Sequence, residues 1–173
     1  MPTCPRCAAL GAALALLAVA GCDTNNPGDD LATVEGRYTV AELTFDPEAT
    51  ALDDVDVAAS LDDTETVLRI YRNEDDGALF EVESDEGGFR RINLTTTVSR
   101  GRVSFEAVSE RDVDDLAGLL LPADFTLEYE GDRPSTLEGS FARSNVDLEA
   151  YDATRYQGLR NTSGRVRVRF ERL

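Results

Sequence analysis

The sequence predicts an all-β fold: an antiparallel meander barrel with one short helix, with a two-sheet β-sandwich as the alternative. Three observations carry that prediction. From Val34 onward, apolar and polar residues alternate with period two in one short segment after another. Clusters rich in Gly, Asn, Asp and Ser separate those segments about 8–12 residues apart, the rhythm of hairpins. The alternation gives way once to helical spacing, between Ser109 and Pro122.

Before the strands comes a segment of another kind. Arg6 precedes the apolar run Leu14-Ala15-Leu16-Leu17-Ala18-Val19-Ala20, which closes on Gly21-Cys22. A basic start, an apolar middle and a small-residue end make residues 1–21 an export signal. As a helix the run from Ala8 to Ala20 would cover roughly 20 Å, short of a hydrocarbon core of about 30 Å, so it does not span. The closing Val19-Ala20-Gly21-Cys22 resembles the lipobox of bacterial lipoproteins. That resemblance implies a mature chain starting at a lipidated Cys22, exported and fastened to a bacterial membrane at its periplasmic face or at the cell surface. Two or three acyl chains, at about 0.8 kcal/mol per buried CH₂, make such an anchor effectively permanent. Residues 22–33, with the polar run Asp23-Thr24-Asn25-Asn26-Pro27-Gly28-Asp29-Asp30, read as a flexible tether, and 34–173 as a single domain. Cys4-Pro5-Arg6-Cys7 has the spacing of a redox motif but lies in the signal, without a strand-then-helix context.

Within the domain, Val34, Gly36, Tyr38 and Val40 alternate with polar partners, and Leu43 and Phe45 resume one residue out of step, as across a bulge. A strand is predicted near Val55 to Leu61, with Val55, Val57 and Ala59 on one side. Thr66 to Arg72 is rich in β-formers on both faces, and Asn73 to Gly77 turns it. Phe80 and Val82 follow, then the turn Ser84 to Gly88, then Ile92, Leu94, Thr96 and Val98. Ser99-Arg100-Gly101 connects tightly to Val103, Phe105 and Ala107. Val113, Leu116, Leu119 and Leu120 recur at helical spacing behind the acids Glu110, Asp112, Asp114 and Asp115, and Pro122 stops the helix. Strands return with Phe125, Leu127 and Tyr129, then Leu137, Gly139 and Phe141. Val146 and Leu148 suggest another short strand, Tyr151 to Leu159 reads as irregular, and Arg165-Val166-Arg167-Val168-Arg169-Phe170 closes the pattern. Nine or ten strands fit a barrel or a sandwich.

Gly36-Arg37-Tyr38 at the first strand is similar to the Gly-x-Trp opening of lipocalins and of the lipocalin-like domains carried by some bacterial lipoproteins. The likeness implies a ligand-holding barrel and a last-strand arginine, Arg167 or Arg169, packed across the aromatic. The chain departs from that pattern in three ways. Tyrosine replaces tryptophan, no disulfide is available, and the helix lies between late strands rather than after the barrel.

Composition narrows the chemistry. The formal net charge is -17, all 17 basic residues are arginine, and there is no histidine. Nucleic acid and anionic bilayer faces are repelled by such a chain. Without histidine, lysine or an unmodified mature cysteine there is no Ser-His-Asp or Cys-His arrangement, no Schiff base, no phosphate-loop lysine and no His- or Cys-ligated zinc. The acidic pairs Asp53-Asp54, Asp62-Asp63, Asp75-Asp76 and Asp85-Glu86 fall at predicted turns, where short polar side chains solvate the backbone. No enzyme activity, cofactor or metal is therefore expected. Tyr38, Phe80, Phe105, Phe125, Tyr129 and Phe141 either fill the core or line a ligand cavity. Arg167, with Arg165 and Arg169, either faces solvent or turns inward to hold an anionic head. Two functions stay open: a tethered barrel holding a small apolar or amphipathic molecule, with the Val113 to Leu121 helix as its lid, or a structural or interaction lipoprotein of the envelope with a filled core.

Overall fold

The computed structural model describes residues 30–49, 51–62, 66–71, 77–83 and 89–173. The signal segment 1–21, Cys22, the tether up to residue 29, Asn73 to Asp76 of the first predicted turn and the predicted turn Ser84 to Gly88 lie outside the described residues.

Alternating side chains put one apolar face on each strand, and the strands bury those faces by rolling into a closed barrel. Its strands are β1 (Gly36–Pro47), β2 (Val55–Asp56), β3 (Val67–Tyr71), β4 (Gly77–Glu83), β5 (Phe89–Ser99), β6 (Arg102–Ala107), β7 (Asp124–Glu128), β8 (Thr136–Val146) and β9 (Thr162–Arg172). All neighbours are antiparallel and follow chain order, except that β2 hangs on β1 beside the barrel. Closure comes from β1 pairing with β9 from Tyr38↔Arg172 to Pro47↔Gly164. Eight strands thus form the barrel, and closure excludes the sandwich. The expected bulge is present: the β1–β9 register shifts between Val40 and Glu42, carrying Leu43 and Phe45 back to the interior.

Inside lie Tyr38, Phe45, Leu68, Ile70, Phe80, Ile92, Phe105, Leu127, Leu137, Val166 and Phe170, each 2% exposed or less. Outside, arginines pair with acids of neighbouring strands, as Arg69 does with Glu81 and Arg102 with Glu128. A membrane-spanning barrel carries an apolar outer band, so this charged exterior belongs in water.

Both ends are covered. A one-turn helix, α1 (Leu31–Val34), capped by the Asp30 carboxylate, lies where β1 begins, with Leu31 and Val34 buried. Leu31 to Thr33, assigned above to the tether, therefore belong to the packed domain. At the other end α2 (Glu110–Ala117) starts at its N-cap Ser109 and packs against β5 and β6. Leu116, Leu119, Leu120 and Leu121 sink into the core, whereas Val113 stays 37% exposed. Val57 and Leu61 from the β2–β3 connection, and Leu148 and Tyr156 from the β8–β9 connection, join the same cluster.

Two local expectations are corrected. Only Val55–Asp56 of the Val55 to Leu61 stretch is a strand; a 3-10 turn, Ala58–Ser60, follows and leaves Ala59 exposed. Val146 ends β8 after a register shift from Arg143, and Leu148 opens a one-turn helix, α3 (Leu148–Tyr151), capped by Asp147.

Candidate functional site

The barrel interior is where the sequence leaves open a ligand cavity or a filled core. Tyr38, Phe80, Phe105 and Phe125 are 0 to 4% exposed, Tyr129 is buried, and Phe141 packs half-buried against the same cluster. Their rings meet one another rather than a void. Phe80 stands edge-on to Phe170 with centroids 5.5 Å apart, Phe105 lies 5.1 Å from Phe125, and Phe125 lies 6.1 Å from Phe141. A side chain bordering a water-sized void has area that water can touch, and Phe80, Phe170, Leu127 and Leu137 have none.

Arg167 is elsewhere. On β9 it alternates with buried Val166 and Val168, so it points outward, where its Nη2 donates to Asp46 Oδ2 at 2.7 Å and its Nη1 lies 3.9 Å from Asp54. Lumenal placement of this arginine is thereby corrected: the strand's period of two puts it on the wet face.

The arginine that crosses the first-strand aromatic is Arg172, not Arg167 or Arg169. Its guanidinium lies 4.9 Å from the centre of the Tyr38 ring, and its Nη2 donates to the Tyr38 hydroxyl at 2.6 Å. The same group donates to the carbonyls of Pro134 (2.8 Å), Glu35 (2.9 Å) and Thr33 (3.4 Å). Tyr38 in turn donates to Val34 O at 2.8 Å. One side chain thus ties α1, β1 and the β7–β8 connection together. Burial raises the Tyr38 pKa above the ordinary phenol value, while the neighbouring Arg172 charge opposes the rise. The parity of β9 announces this residue, since Arg172 continues the inward series Val166, Val168 and Phe170.

At the other end a second tie holds α2. β6 leaves β5 after Ala107, freeing the Asn93 N–H, which donates to Asp112 Oδ1 at 2.8 Å. Ser109 Oγ donates to the other carboxylate oxygen. Burial pushes the Asp112 carboxyl up, but the Ser109 and Asn93 hydrogen bonds outweigh it and hold the group below its ordinary value. The predicted lid is therefore a pinned part of the core.

The outer face carries the concave surface. A hollow of about 630 Å³ lies over β6, β7, β8, β9 and β1, lined by Arg102, Thr126, Glu128, Glu138, Ser140 and Arg169 among others. β7 and β8 share a single ladder pair beneath it, Glu128↔Glu138, and the inward position next to that pair is Gly139, where a Cβ would lie 2.8 Å from Leu127 and 2.9 Å from Thr126 O. A second hollow of about 860 Å³, toward the β5–β6 hairpin, shares Arg102, Glu128 and Glu138 with the first.

Of the acidic pairs, Asp53 and Asp54 are exposed, while Asp63, Asp75, Asp76, Asp85 and Glu86 lie outside the described residues. Compared with protein-family models, with curated proteins and with solved structures, the chain matches none.

Proposed function

We propose that this chain is an exported lipoprotein, anchored by acyl chains on Cys22, whose barrel is a solid scaffold displaying its outer surface in the cell envelope. The observation that carries the reading is the filling of the barrel by its own side chains at both ends and through the middle. A lid reading needs α2 to open. Re-exposing Leu116, Leu119, Leu120 and Leu121, at about 1.5–3 kcal/mol each, costs on the order of 10 kcal/mol, comparable with the whole stability of a typical domain at about 5–15 kcal/mol. An interior ligand would thus compete with the fold itself. The anchor rests on the Val19-Ala20-Gly21-Cys22 run and on the short polar segment between Cys22 and α1, long enough to hold the domain off headgroups. The protein acts by binding and not by catalysis.

The test is mass spectrometry of the protein purified gently from the membranes of a bacterial host. The expected result is an acylated N-terminal peptide at Cys22, lost with Cys22→Ser, and no stoichiometric apolar small molecule. A lipid retained one-to-one by the intact barrel would return the function to the interior.

A further inference from the structure

Among the outward residues, most charges are spoken for. Arg102 forks onto Glu128 Oε1 through Nε (3.1 Å) and Nη2 (2.9 Å), and Arg167 is held by Asp46. A row over β8, β9 and β1 is held more loosely. Register places Glu42 of β1 and Glu138 of β8 on either side of Arg169 of β9. Yet neither glutamate makes an ion pair with it among the described residues, and its contact with Glu171 is 3.7 Å long; its Nε is buried without a hydrogen-bond partner, so the Nη groups are the ones a ligand would meet. These loosely held groups line the outer hollow, whose floor is built from the short side chains of Thr126 and Ser140 and the backbone of Gly139.

We infer that this trough binds an uncharged, hydroxyl-rich chain, a neutral glycan strand, along the outer face from β6 through β9 to β1. The volume falls within the roughly 300–1,000 Å³ of small-molecule sites, but the lining is polar where such sites are mostly apolar. Charge then selects the occupant. Glu42, Glu128 and Glu138 balance Arg102, Arg167 and Arg169, making the trough neutral on a chain of net charge -17. An anion drawn to the arginines meets three carboxylates, and a cation drawn to the carboxylates meets three guanidiniums. Hydroxyls both donate and accept, so they satisfy Arg169 and its flanking glutamates together. Five adjacent strands, about 4.8 Å apart, give a length of roughly 19 Å, room for more than one sugar ring. The inference rests on the outer surface being the working face, and not on the anchor.

The experiment is an NMR titration of the full-length, nitrogen-15-labelled chain in micelles with neutral α- and β-linked oligosaccharides at millimolar concentration. Expected are saturable shifts confined to Thr126, Gly139, Ser140 and the Nε–H signals of Arg102, Arg167 and Arg169. Ser140→Phe fills the floor at an exposed strand position that tolerates an aromatic, and should weaken binding at least about tenfold with an unchanged melting temperature. The inference is overturned if the panel leaves these signals unmoved, if Ser140→Phe binds as well as the parent chain, or if dextran sulfate or polylysine occupies the trough in preference. Failure of this kind with an empty interior would sink the glycan alone, whereas a co-purifying apolar molecule would sink the scaffold reading.

Discussion

Replacing Arg172 by alanine should be the most damaging single change at the α1 end of the barrel. The guanidinium makes three hydrogen bonds of 2.6 to 2.9 Å, to Tyr38 Oη, Pro134 O and Glu35 O, and covers the Tyr38 ring. A hydrogen bond to a charged group is worth about 1.5–3 kcal/mol and a cation–π contact about 0.5–2 kcal/mol. These terms are not additive, and water reaches the exposed carbonyls once the side chain is gone, so a net loss of about 3–4 kcal/mol is expected. For a domain of this size that lowers the melting temperature by roughly 10 °C. Urea unfolding followed by circular dichroism measures it directly. Tyr38→Phe removes one partner and should cost about 1–2 kcal/mol, with a coupling of about 1–2 kcal/mol in the double-mutant cycle. Arg167→Ala, which breaks only exposed ion pairs, should stay within about 1 kcal/mol of the parent. If Arg172→Ala is as mild as Arg167→Ala, or if its effect simply adds to that of Tyr38→Phe, the clamp is not what holds this end together.

Three further expectations follow from the other end and the loops. Asp112 has a folded pKa below its unfolded one, so its contribution is present above the ordinary carboxylate pKa of about 3.9 and is lost as pH falls through the folded value. Denaturant melts across pH 2–6 should accordingly show the parent losing more stability on acidification than Asp112→Asn, and parallel curves would remove the pin. Leu116→Ala should cost about 2–5 kcal/mol and Val113→Ala close to nothing, since the first is fully buried and the second exposed; equal losses would mean that α2 presents a different face. The Glu149 carboxyl, hydrogen-bonded by Arg160 and by the Gly158 N–H, should titrate at about 2 by carbon-13 NMR and return toward its ordinary value in Arg160→Gln. A midpoint near 4.5 in the parent would show the Glu149–Arg160 pair to be open.

Much of the barrel was legible in the chain because period-two alternation reports directly which side of a strand is buried. The bulge after Val40, the Ser99-Arg100-Gly101 hairpin and the helix after Ser109 all left their marks in that pattern. Closure did not, because β1 and β9 are far apart in sequence and alternation is the same in a sandwich. One-turn helices such as α1 and α3 are too short for periodicity, though Asp30 and Asp147 stand at their caps as sequence signals. Among the site residues, the six aromatics read as core filling or cavity lining lie in or against the core. Arg167 was left open between solvent and lumen; the parity of its own strand decides for solvent, and that same parity points to Arg172. The outer trough had no sequence signature, since it depends on which side chains five strands bring side by side.

One of the two longest ladders among the described residues joins the first strand to the last. A chain threaded through a translocation channel N-terminus first cannot complete that seam until Arg172 has emerged. Until then β1 has only the β2 and β3 partners that follow it closely, and the partly emerged polypeptide stays thin enough to pass. On the proposed export route, such wiring postpones tight packing until translocation is over, at the cost of slow, long-range closure and a spell in which the unpaired strands are exposed to aggregation.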